Sequence, residues 1–257
     1  MPRFAANLSW LFSEWSFLDR FAAAADAGFT AVEAGNLFGH SPETIAEQLR
    51  LNGLDLVLFN LLSPDADDGR TGLAALPDRF PAFQSCVERA LDLARATGVR
   101  CLHLMTGLAD PTDPAANAAF ERSVRWAAEQ LDPLGVTITL EPINARDVPG
   151  YYLRDYAIAE QAIANFGLPN LKLQFDVYHR QIIHGDVTVA LRRLLPITGH
   201  VQVANVPARD EPDGGGEINF PFLFAELDRL GYDGVVAGEY RPRGPTRDGL
   251  GWAGLPA

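Results

Sequence analysis

The sequence predicts an α/β fold, a single-domain (β/α)₈ TIM barrel that spans residues 1–257. The chain length of 257 residues is close to the roughly 250 residues typical of such a barrel. Short β-rich runs alternate with longer helical stretches from one end to the other, which is the pattern of a parallel sheet. No G-x-G-x-x-G turn follows the first run, which disfavours an open, doubly wound sheet.

The first four strand-like runs are short, mostly apolar and bounded by turn or cap residues. They are Phe4–Ser9, Phe29–Glu33, Leu54–Asn60 and Val99–Met105. An alanine-rich helical stretch, Phe17–Ala27, follows the first run. After the second run, Ser41 is a helix N-cap with Pro42 at the first helical position, and Gly53 ends that helix. After the third run, a long loop rich in aspartate and glycine leads to a helix that ends at Gly98 and has one apolar face, made by Phe83, Val87, Ala90 and Ala94.

The last four runs follow the same rule. They are Val136–Leu140, Leu171–Phe175, Gly199–Val203 and Val235–Gly238. The apolar face of the helix that precedes them is made by Phe120, Val124, Ala127 and Leu131. Further helices are predicted over Leu153–Phe166, Val187–Leu195 and Pro221–Leu230, the last of them ended by Gly231. Eight strand–helix pairs, without a linker or a second domain, are therefore expected.

The composition restricts the class of protein. The formal net charge is −12, and because phosphate contacts supply most of the affinity for nucleic acids, neither DNA nor RNA is an expected partner. No apolar run reaches the roughly 18 residues of a membrane span. The first residues enter a strand-like pattern without a signal-peptide pattern, so a cytoplasmic enzyme is expected. Cys86 and Cys101 have no Cys-x-x-Cys spacing, and we expect both to be core residues.

Metal-competent side chains fall at four successive strand ends of the predicted barrel. Glu141 follows the fifth strand, Asp176 the sixth and Glu239 the eighth, and Gln202 lies in the seventh. Neighbouring strands lie about 4.8 Å apart and active sites of this fold lie at their carboxyl ends, so these side chains can converge on one ion. A single acid at a strand end is often a turn former, a helix cap or a surface charge. Metal-competent residues at the ends of four successive strands favour a metal site instead. Their oxygen donors suit Mg²⁺ or Mn²⁺.

Histidines add to the predicted site. His103 and His200 lie in strands on the alternation that faces the barrel axis. We expect His200, one layer deeper than Gln202, to support the site from the core, and we count His103 among the candidate substrate contacts. His179 comes three residues after Asp176 and is predicted to lie in a loop at the catalytic face, where it is a candidate substrate contact or a structural residue.

Strand alternation also places Lys172, the only lysine, on the inward face of the sixth strand. A buried lysine needs an anionic partner. Glu33, at the end of the second strand, is one candidate, although a partner nearer the barrel floor would be easier to reach.

Several long motifs run nearly end to end through the chain. They are FAANLSWLF, GLDLVLFNL, ITLEPIN, LKLQFDVYH, GHVQVANVPARDEPDGGGEINFPFLFAELDRLGYDG, GEYRPRG and GLGW. Together they are specific, and by them the chain resembles the hydroxypyruvate isomerase family of the xylose-isomerase-like barrels. The resemblance implies that the metal is bound at Glu141, Asp176, Gln202 and Glu239, with Co²⁺ as a further candidate ion.

The resemblance also implies the chemistry. Glu141 and Glu239 match an acid/base pair that acts on both faces of a small hydroxy-carbonyl acid or sugar. Hydroxypyruvate would pass through an enediolate to tartronate semialdehyde. His179 matches a substrate contact, and Arg209 falls near a basic contact of related ketose epimerases. Arg209 and Arg241 lie in predicted loops at the catalytic face, and either is a candidate to bind the substrate carboxylate or a plain surface arginine.

One segment departs from the family pattern, and it leaves the substrate open. The family has an aromatic-rich loop after the second strand, whereas here Glu33 is followed by AGNLFGHSPET. A 2-oxo-tetronate isomerase or a ketose 3-epimerase on the same residues is therefore the alternative. A metal-dependent endonuclease would need more histidine ligands, and a non-catalytic sugar-acid-binding protein would not explain the glutamate pair. Barrels of this kind often pair, so a homo-oligomer is a further expectation.

Overall fold

The computed structural model describes residues 2–62 and 71–255 and confirms the predicted barrel. Eight parallel strands close on themselves in chain order. They are β1 (Arg3–Asn7), β2 (Ala31–Ala34), β3 (Asp55–Leu61), β4 (Cys101–Leu104), β5 (Thr137–Leu140), β6 (Leu171–Asp176), β7 (Thr198–Val203) and β8 (Val235–Gly238). Every strand boundary lies within two residues of its prediction, so the predicted site residues do lie at or near the carboxyl ends of the strands.

Helices cover the outside of the sheet. They are α1 (Asp19–Asp26), α2 (Pro42–Asn52), α3 (Phe80–Thr97), α4 (Pro114–Leu131), α5 (Tyr156–Phe166), α6 (Val177–Ile183), α7 (Val187–Leu194) and α8 (Phe220–Arg229). The predicted caps of α2 are confirmed, since Ser41 Oγ accepts a hydrogen bond from the Thr44 N–H at 3.2 Å. Gly53 ends α2 in the left-handed conformation, with a φ of 62°.

The predicted pairing of one helix with each strand is wrong at two places in the described chain. Two helices, α6 and α7, follow β6, because Asp176 caps a helix that begins directly at the strand end. After β8 the chain forms a 3₁₀ helix, Thr246–Ala253, in a stretch whose glycines and proline disfavour an α-helix. Helix α5 begins at Tyr156 rather than Leu153, since the Asp155 side chain caps it there. Residues 63–70 of the predicted long loop lie outside the described residues.

The sheet separates an apolar shell from a polar interior. Outward-facing strand residues such as Leu102, Leu140 and Val201 pack with the helices in one large apolar cluster, and both cysteines are buried as predicted. Inside the barrel, a much smaller apolar cluster is formed by Ala5, Ala31 and Ala237 with Val57 and Val235 against it. The next inward-facing positions are polar and buried: Asn7, Glu33, His103, Thr139, Gln174, His200 and Gln202. Since TIM barrel interiors are mostly filled by branched apolar residues, this polar layer indicates a functional interior.

Within the described residues, no helix combines the length and the apolarity needed to cross a bilayer.

Candidate active site

Three buried residues with possible metal-ligand atoms lie close together at the ends of β5 and β6. One ligand atom each from Glu141, Asp176 and His179 lie within 4.8 Å of one another. Among the described residues, Glu141 Oε1 and Asp176 Oδ2 find no hydrogen-bond partner although both are buried. A buried carboxylate oxygen without a partner is costly. These two oxygens are therefore where a cation would stabilise the site most.

His179 reaches this cluster from a helix, so its prediction as a loop residue was wrong. Asp176 Oδ1 accepts a hydrogen bond from the Tyr178 N–H at 2.7 Å and caps α6. In a helix that Asp176 caps, the residue three positions later lies back beside the same carboxylate. Nε2 of His179 lies 3.5 Å from Asp176 Oδ2 and 3.7 Å from Glu141 Oε1.

Asn144 determines which nitrogen of His179 carries the proton. The backbone N–H and the side-chain amide of Asn144 lie 3.3 Å and 2.6 Å from Nδ1. Asp147 fixes the orientation of that amide, because its N–H donates to Asn144 Oδ1 and its carboxylate accepts from Nδ2. Burial, and then the charge of Arg209, lowers the pKa of His179 well below its usual range. The neutral ring therefore accepts at Nδ1 and donates from Nε2, which suits a substrate oxygen better than a cation.

Arg209 brings a positive charge into the carboxylate group. Its Nη2 lies 2.8 Å from Glu239 Oε2 and 3.6 Å from Asp176 Oδ2, and its Nη1 lies 3.4 Å from Asp147 Oδ2. The guanidinium is also stacked between two rings, with its central carbon 4.7 Å from the Trp10 ring and 4.8 Å from the Tyr178 ring. The Arg209 side chain is only 11% exposed, so this cation is held by contacts on several sides.

The backbone around Arg209 is equally constrained. The residue adopts a φ of 55°, its N–H donates to the Asn205 carbonyl, and its own carbonyl accepts from the Arg241 N–H. Arg241 differs, because it is exposed and its guanidinium carbon lies 5.4 Å from the Trp10 ring. Both predicted basic contacts thus lie against the same Trp10 ring, Arg209 with its side chain 11% exposed and Arg241 facing solvent.

The structure holds the other two predicted ligands in hydrogen bonds beside the cluster. Glu239 Oε1 accepts from Asn7 Nδ2 at 3.1 Å, while its Oε2 faces Arg209. Gln202 donates from Nε2 to Glu33 Oε1 at 2.6 Å and accepts at Oε1 from Gln174 Nε2 at 2.6 Å. The metal-binding roles of Glu141, Asp176, Gln202 and Glu239 stay predictions.

His103 lies in β4 and faces the inside of the barrel, as strand alternation predicted. Its Nδ1 is 3.3 Å from Glu141 Oε2, and the ring is 1% exposed. Burial, with a smaller contribution from His200, lowers the pKa of His103 to about 3, so the ring is neutral beside the carboxylate. Its predicted substrate contact is untested by this arrangement.

Glu33 contacts other side chains than Lys172, the lysine for which it was a candidate partner. Its carboxylate accepts from Asn7 and Gln202 through Oε1 and lies 2.6 Å from His200 Nε2 through Oε2. Lys172 lies instead at the amino-terminal end of β6 and is partly exposed. The pairing with Glu33 was therefore wrong, because the lysine enters the barrel two layers below the level of the strand ends.

Burial dominates the pKa values of the site carboxyls. It raises the pKa of Glu141 well above its usual range, with further contributions from Glu239 and Asp176. It raises the pKa of Glu239 to about 8 and that of Asp176 to about 6, although the Arg209 charge opposes both shifts. A carboxylate made this basic can accept a proton near neutral pH.

We expect the metal-free protein to lose stability as the pH rises from about 6 to 8, where the raised pKa values of its carboxyls outweigh the opposite contribution of the buried His103 and His179, whose pKa values are lowered. A raised pKa means that the folded state binds more protons than the unfolded state between the two values, so the free energy of unfolding falls with pH there. Asp176 contributes up to about pH 6 and Glu239 up to about pH 8, and each tenfold change in proton affinity corresponds to about 1.4 kcal/mol. Melting temperatures of chelator-treated and Mn²⁺-loaded protein test this. A metal-free melting temperature that stays constant or rises between pH 6 and 8 would contradict it.

Sequence reasoning missed several residues that hold the site together. Asn7 and Gln174 lie on the inward alternation of β1 and β6, so strand periodicity could have found them. Trp10, Asn144 and Asp147 lie in loops, where no periodic signal exists. They are found only through their contacts with Arg209 and His179.

Comparisons with known proteins agree with this architecture. A family model described as a xylose isomerase-like TIM barrel matches residues 21–254. A 2-oxo-tetronate isomerase from Cupriavidus necator is 46% identical over 98% of this chain and 97% of its own. The hydroxypyruvate isomerase of Escherichia coli is 37% identical over 98% of both chains. The crystal structure of an AP endonuclease, family 2, from Brucella melitensis superimposes with a TM-score of 0.94 at 41% identity, over 99% of this chain and 98% of that one.

Proposed function

The chain belongs to the xylose isomerase-like TIM barrel family, and from this membership and its site we propose that it is an isomerase of short hydroxy-keto acids. Hydroxypyruvate, which gives tartronate semialdehyde, is the first candidate substrate, and a 2-oxo-tetronate is the alternative. Relatives named for each of these activities align with nearly the whole chain. The observation that carries the proposal is the group of three carboxylates at the strand ends, of which Glu141 and Asp176 are buried and Glu239 is 12% exposed.

A divalent cation fits this group. Glu141 Oε1 and Asp176 Oδ2 are buried and unpartnered among the described residues, and hard oxygen donors select Mg²⁺ or Mn²⁺, with Co²⁺ as a further candidate. Glu141, Asp176, Glu239 and the amide oxygen of Gln202 would hold the ion. Glu239 and Gln202 would exchange their hydrogen bonds with Arg209 and Gln174 for it. When bound, the ion would polarise the substrate carbonyl as a Lewis acid.

The two glutamates supply the proton transfers. One of Glu141 and Glu239 removes the proton from the hydroxyl-bearing carbon, which leaves an enediolate. The hydroxyl proton then passes from its own oxygen to the former carbonyl oxygen, and the carbon-bound proton is returned at the adjacent carbon, so that the carbonyl has moved by one position. His179 donates from Nε2 to a substrate oxygen, since Asn144 holds its Nδ1 as an acceptor. The raised pKa of both glutamates matches this task near neutral pH.

Arg241 is the better candidate for the substrate carboxylate. Arg209 already faces Glu239, Asp176 and Asp147, so most of its charge is compensated within the protein. Arg241 is exposed beside the same Trp10 ring, where an incoming anion can reach it. The charge-assisted hydrogen bond that it would make contributes about 1.5–3 kcal/mol.

Replacement of Arg241 by glutamine is therefore expected to raise KM for the acid substrate by about 10- to 100-fold, with a smaller change in kcat. The chemistry at the glutamates does not touch this side chain, which is why the effect falls on binding. Steady-state kinetics of Arg241→Gln and Arg241→Lys give the comparison, because lysine keeps the charge. Equal KM values for the glutamine variant and the wild type would show that Arg241 does not bind the substrate carboxylate.

The direct test is a metal-reconstitution assay. The protein is stripped of metal, Mg²⁺, Mn²⁺ or Co²⁺ is added back separately, and hydroxypyruvate or a 2-oxo-tetronate is followed by NMR in deuterated water. Metal-dependent isomerisation of either acid with deuterium incorporation at carbon is expected, and the relative kcat/KM names the substrate. Absence of both turnover and carbon-bound exchange with every ion and both acids would refute the proposal.

The net charge of −12 argues against an endonuclease, even though one similar structure is that of an AP endonuclease. A surface this acidic repels the phosphates that supply most nucleic-acid affinity. A nicking assay on abasic-site DNA, run with the same metal-loaded samples, is expected to show no cleavage.

A further inference from the structure

We propose that Glu33 is a positioning residue that orients Gln202 and Glu239, the two predicted ligands outside the compact cluster; this rests on the proposed function. Glu33 is fully buried at the end of β2, three strands away from β5, which Glu141 follows. It therefore cannot be explained as a fourth member of that cluster. Glu33 contacts Gln202 directly and reaches Glu239 through Asn7.

The first of these is Gln202. A carboxylate can only accept hydrogen bonds, so the end of the Gln202 amide that faces Glu33 must be its NH₂ group. Nε2 of Gln202 lies 2.6 Å from Glu33 Oε1. The carbonyl oxygen Oε1 is thereby turned the other way, towards Gln174, which also donates to Glu141. Glu33 thus turns the NH₂ group of Gln202 towards itself and leaves the amide oxygen facing Gln174, on the side of Glu141. Of these two groups, only the oxygen can bind a cation.

The second is Glu239, which Glu33 reaches through Asn7. The Asn7 NH₂ group has two hydrogens, and it lies 2.7 Å from Glu33 Oε1 and 3.1 Å from Glu239 Oε1. The other end of the Asn7 amide is also fixed, since its Oδ1 accepts from the Ser9 N–H at 2.9 Å. Asn7 is therefore a rigid bridge with its donors on both carboxylates.

Glu33 itself is anchored from below. His200 Nε2 lies 2.6 Å from Glu33 Oε2, and both side chains are at most 4% exposed. A buried charged group is costly, and apolar residues of similar volume would often stabilise such a position more. Its presence here is accounted for by the site that it orients rather than by the stability of the barrel.

Replacement of Glu33 by glutamine tests the first contact. The new amide presents one oxygen and one NH₂ group to two amides and an imidazole, so at least one neighbour must turn over. Mn²⁺ binding to the metal-stripped variant, measured by electron paramagnetic resonance without substrate, is expected to be about 10- to 100-fold weaker than in the wild type. Unchanged Mn²⁺ affinity would overturn the inference.

A double-mutant cycle with Gln202→Met separates positioning from a general loss of packing. If Glu33 acts through Gln202, Glu33→Gln adds little to the loss of Mn²⁺ affinity in the Gln202→Met background. Fully additive losses would overturn the inference. Glu226→Gln is the matched control, because Glu226 is a buried acid that pairs with Arg192 and Arg229 on the outside of the barrel. It is expected to lower stability and leave Mn²⁺ affinity unchanged.

Asn7→Ala tests the second contact and decides the matter if Glu33→Gln does not fold. It is expected to lower kcat at least about tenfold with little change in KM, because Glu239 loses its orienting donor while the substrate contacts persist. A wild-type kcat in this variant would refute the inference that Asn7 orients Glu239. Wild-type protein that binds none of Mn²⁺, Mg²⁺ and Co²⁺ would refute the proposed function and this inference together, whereas tight wild-type binding with an unchanged Glu33→Gln refutes the inference alone.

Discussion

Replacement of Glu239 by glutamine is expected to lower kcat/KM by about 10²- to 10⁴-fold, the usual contribution of a positioned acid or base. The amide has nearly the shape of the carboxylate but cannot take up a proton. It also loses the charge that faces Arg209 Nη2 at 2.8 Å. Progress curves in deuterated water give both turnover and carbon-bound exchange from one sample. Turnover within tenfold of the wild type would exclude Glu239 as a proton-transfer group.

The matching variant Glu141→Gln assigns the two roles. The glutamate that removes the first proton is needed for any carbon-bound exchange, so its variant loses exchange and turnover together. The glutamate that only returns the proton leaves exchange at the first carbon when it is replaced. Glu226→Gln on α8 serves as the control, since this buried acid lies away from the strand ends and is expected to keep wild-type kinetics. Equal exchange in both site variants would contradict a two-glutamate mechanism.

Replacement of Arg209 by glutamine is expected to destabilise the metal-free protein by about 3–5 kcal/mol, the usual loss when one partner of a buried ion pair is removed. Burial lowers the pKa of this guanidinium, but the carboxylates of Glu239, Asp176 and Glu141 outweigh that effect and raise it. The interaction is reciprocal, so those carboxylates lose the charge that compensates them. Urea unfolding of metal-stripped protein measures the change.

Mn²⁺ is expected to restore part of that loss, and to raise the melting temperature of Arg209→Gln more than that of the wild type. Ion and guanidinium compensate the same carboxylates, so the ion gains most where the guanidinium is missing. Arg241→Gln is the matched control, because it removes an exposed arginine from the same Trp10 ring, and exposed changes usually stay within about 0.5 kcal/mol. Equal destabilisation by the two substitutions would show that the buried ion pairs contribute little.

The strands and most helices could be predicted because their signals are local. Buried parallel strands are short apolar runs, and caps such as Ser41 and Gly53 mark helix ends directly in the sequence. Helix α6 was missed because Asp176 carries two signals, as an N-cap and as an acid at a strand end, and only the second was used. The 3₁₀ helix after β8 was missed because its glycines resemble a plain loop.

The sequence predicts where the candidate site lies in the barrel, but not which side chains contact one another within it. Strand alternation places Glu141, Asp176, Gln202 and Glu239 at one end of the barrel. It cannot show that Arg209 turns back from its loop against Glu239, because that contact depends on a left-handed backbone at Arg209 and on the Trp10 and Tyr178 rings. The same limit applied to Glu33, whose partners are set by how the barrel closes.

The division of the sheet into an apolar outside and a polar inside bears on how this protein diverges from its relatives. Adjacent residues of one strand are under different selection. Leu102 and Val201 pack against the helices, whereas their neighbours His103 and Gln202 face the barrel axis. Interior positions can be exchanged as a group while the helical shell goes on supplying the free energy of folding. Substitution rates along β4 and β7 are therefore expected to alternate with a period of two residues, and the inward positions are expected to sort relatives by reaction.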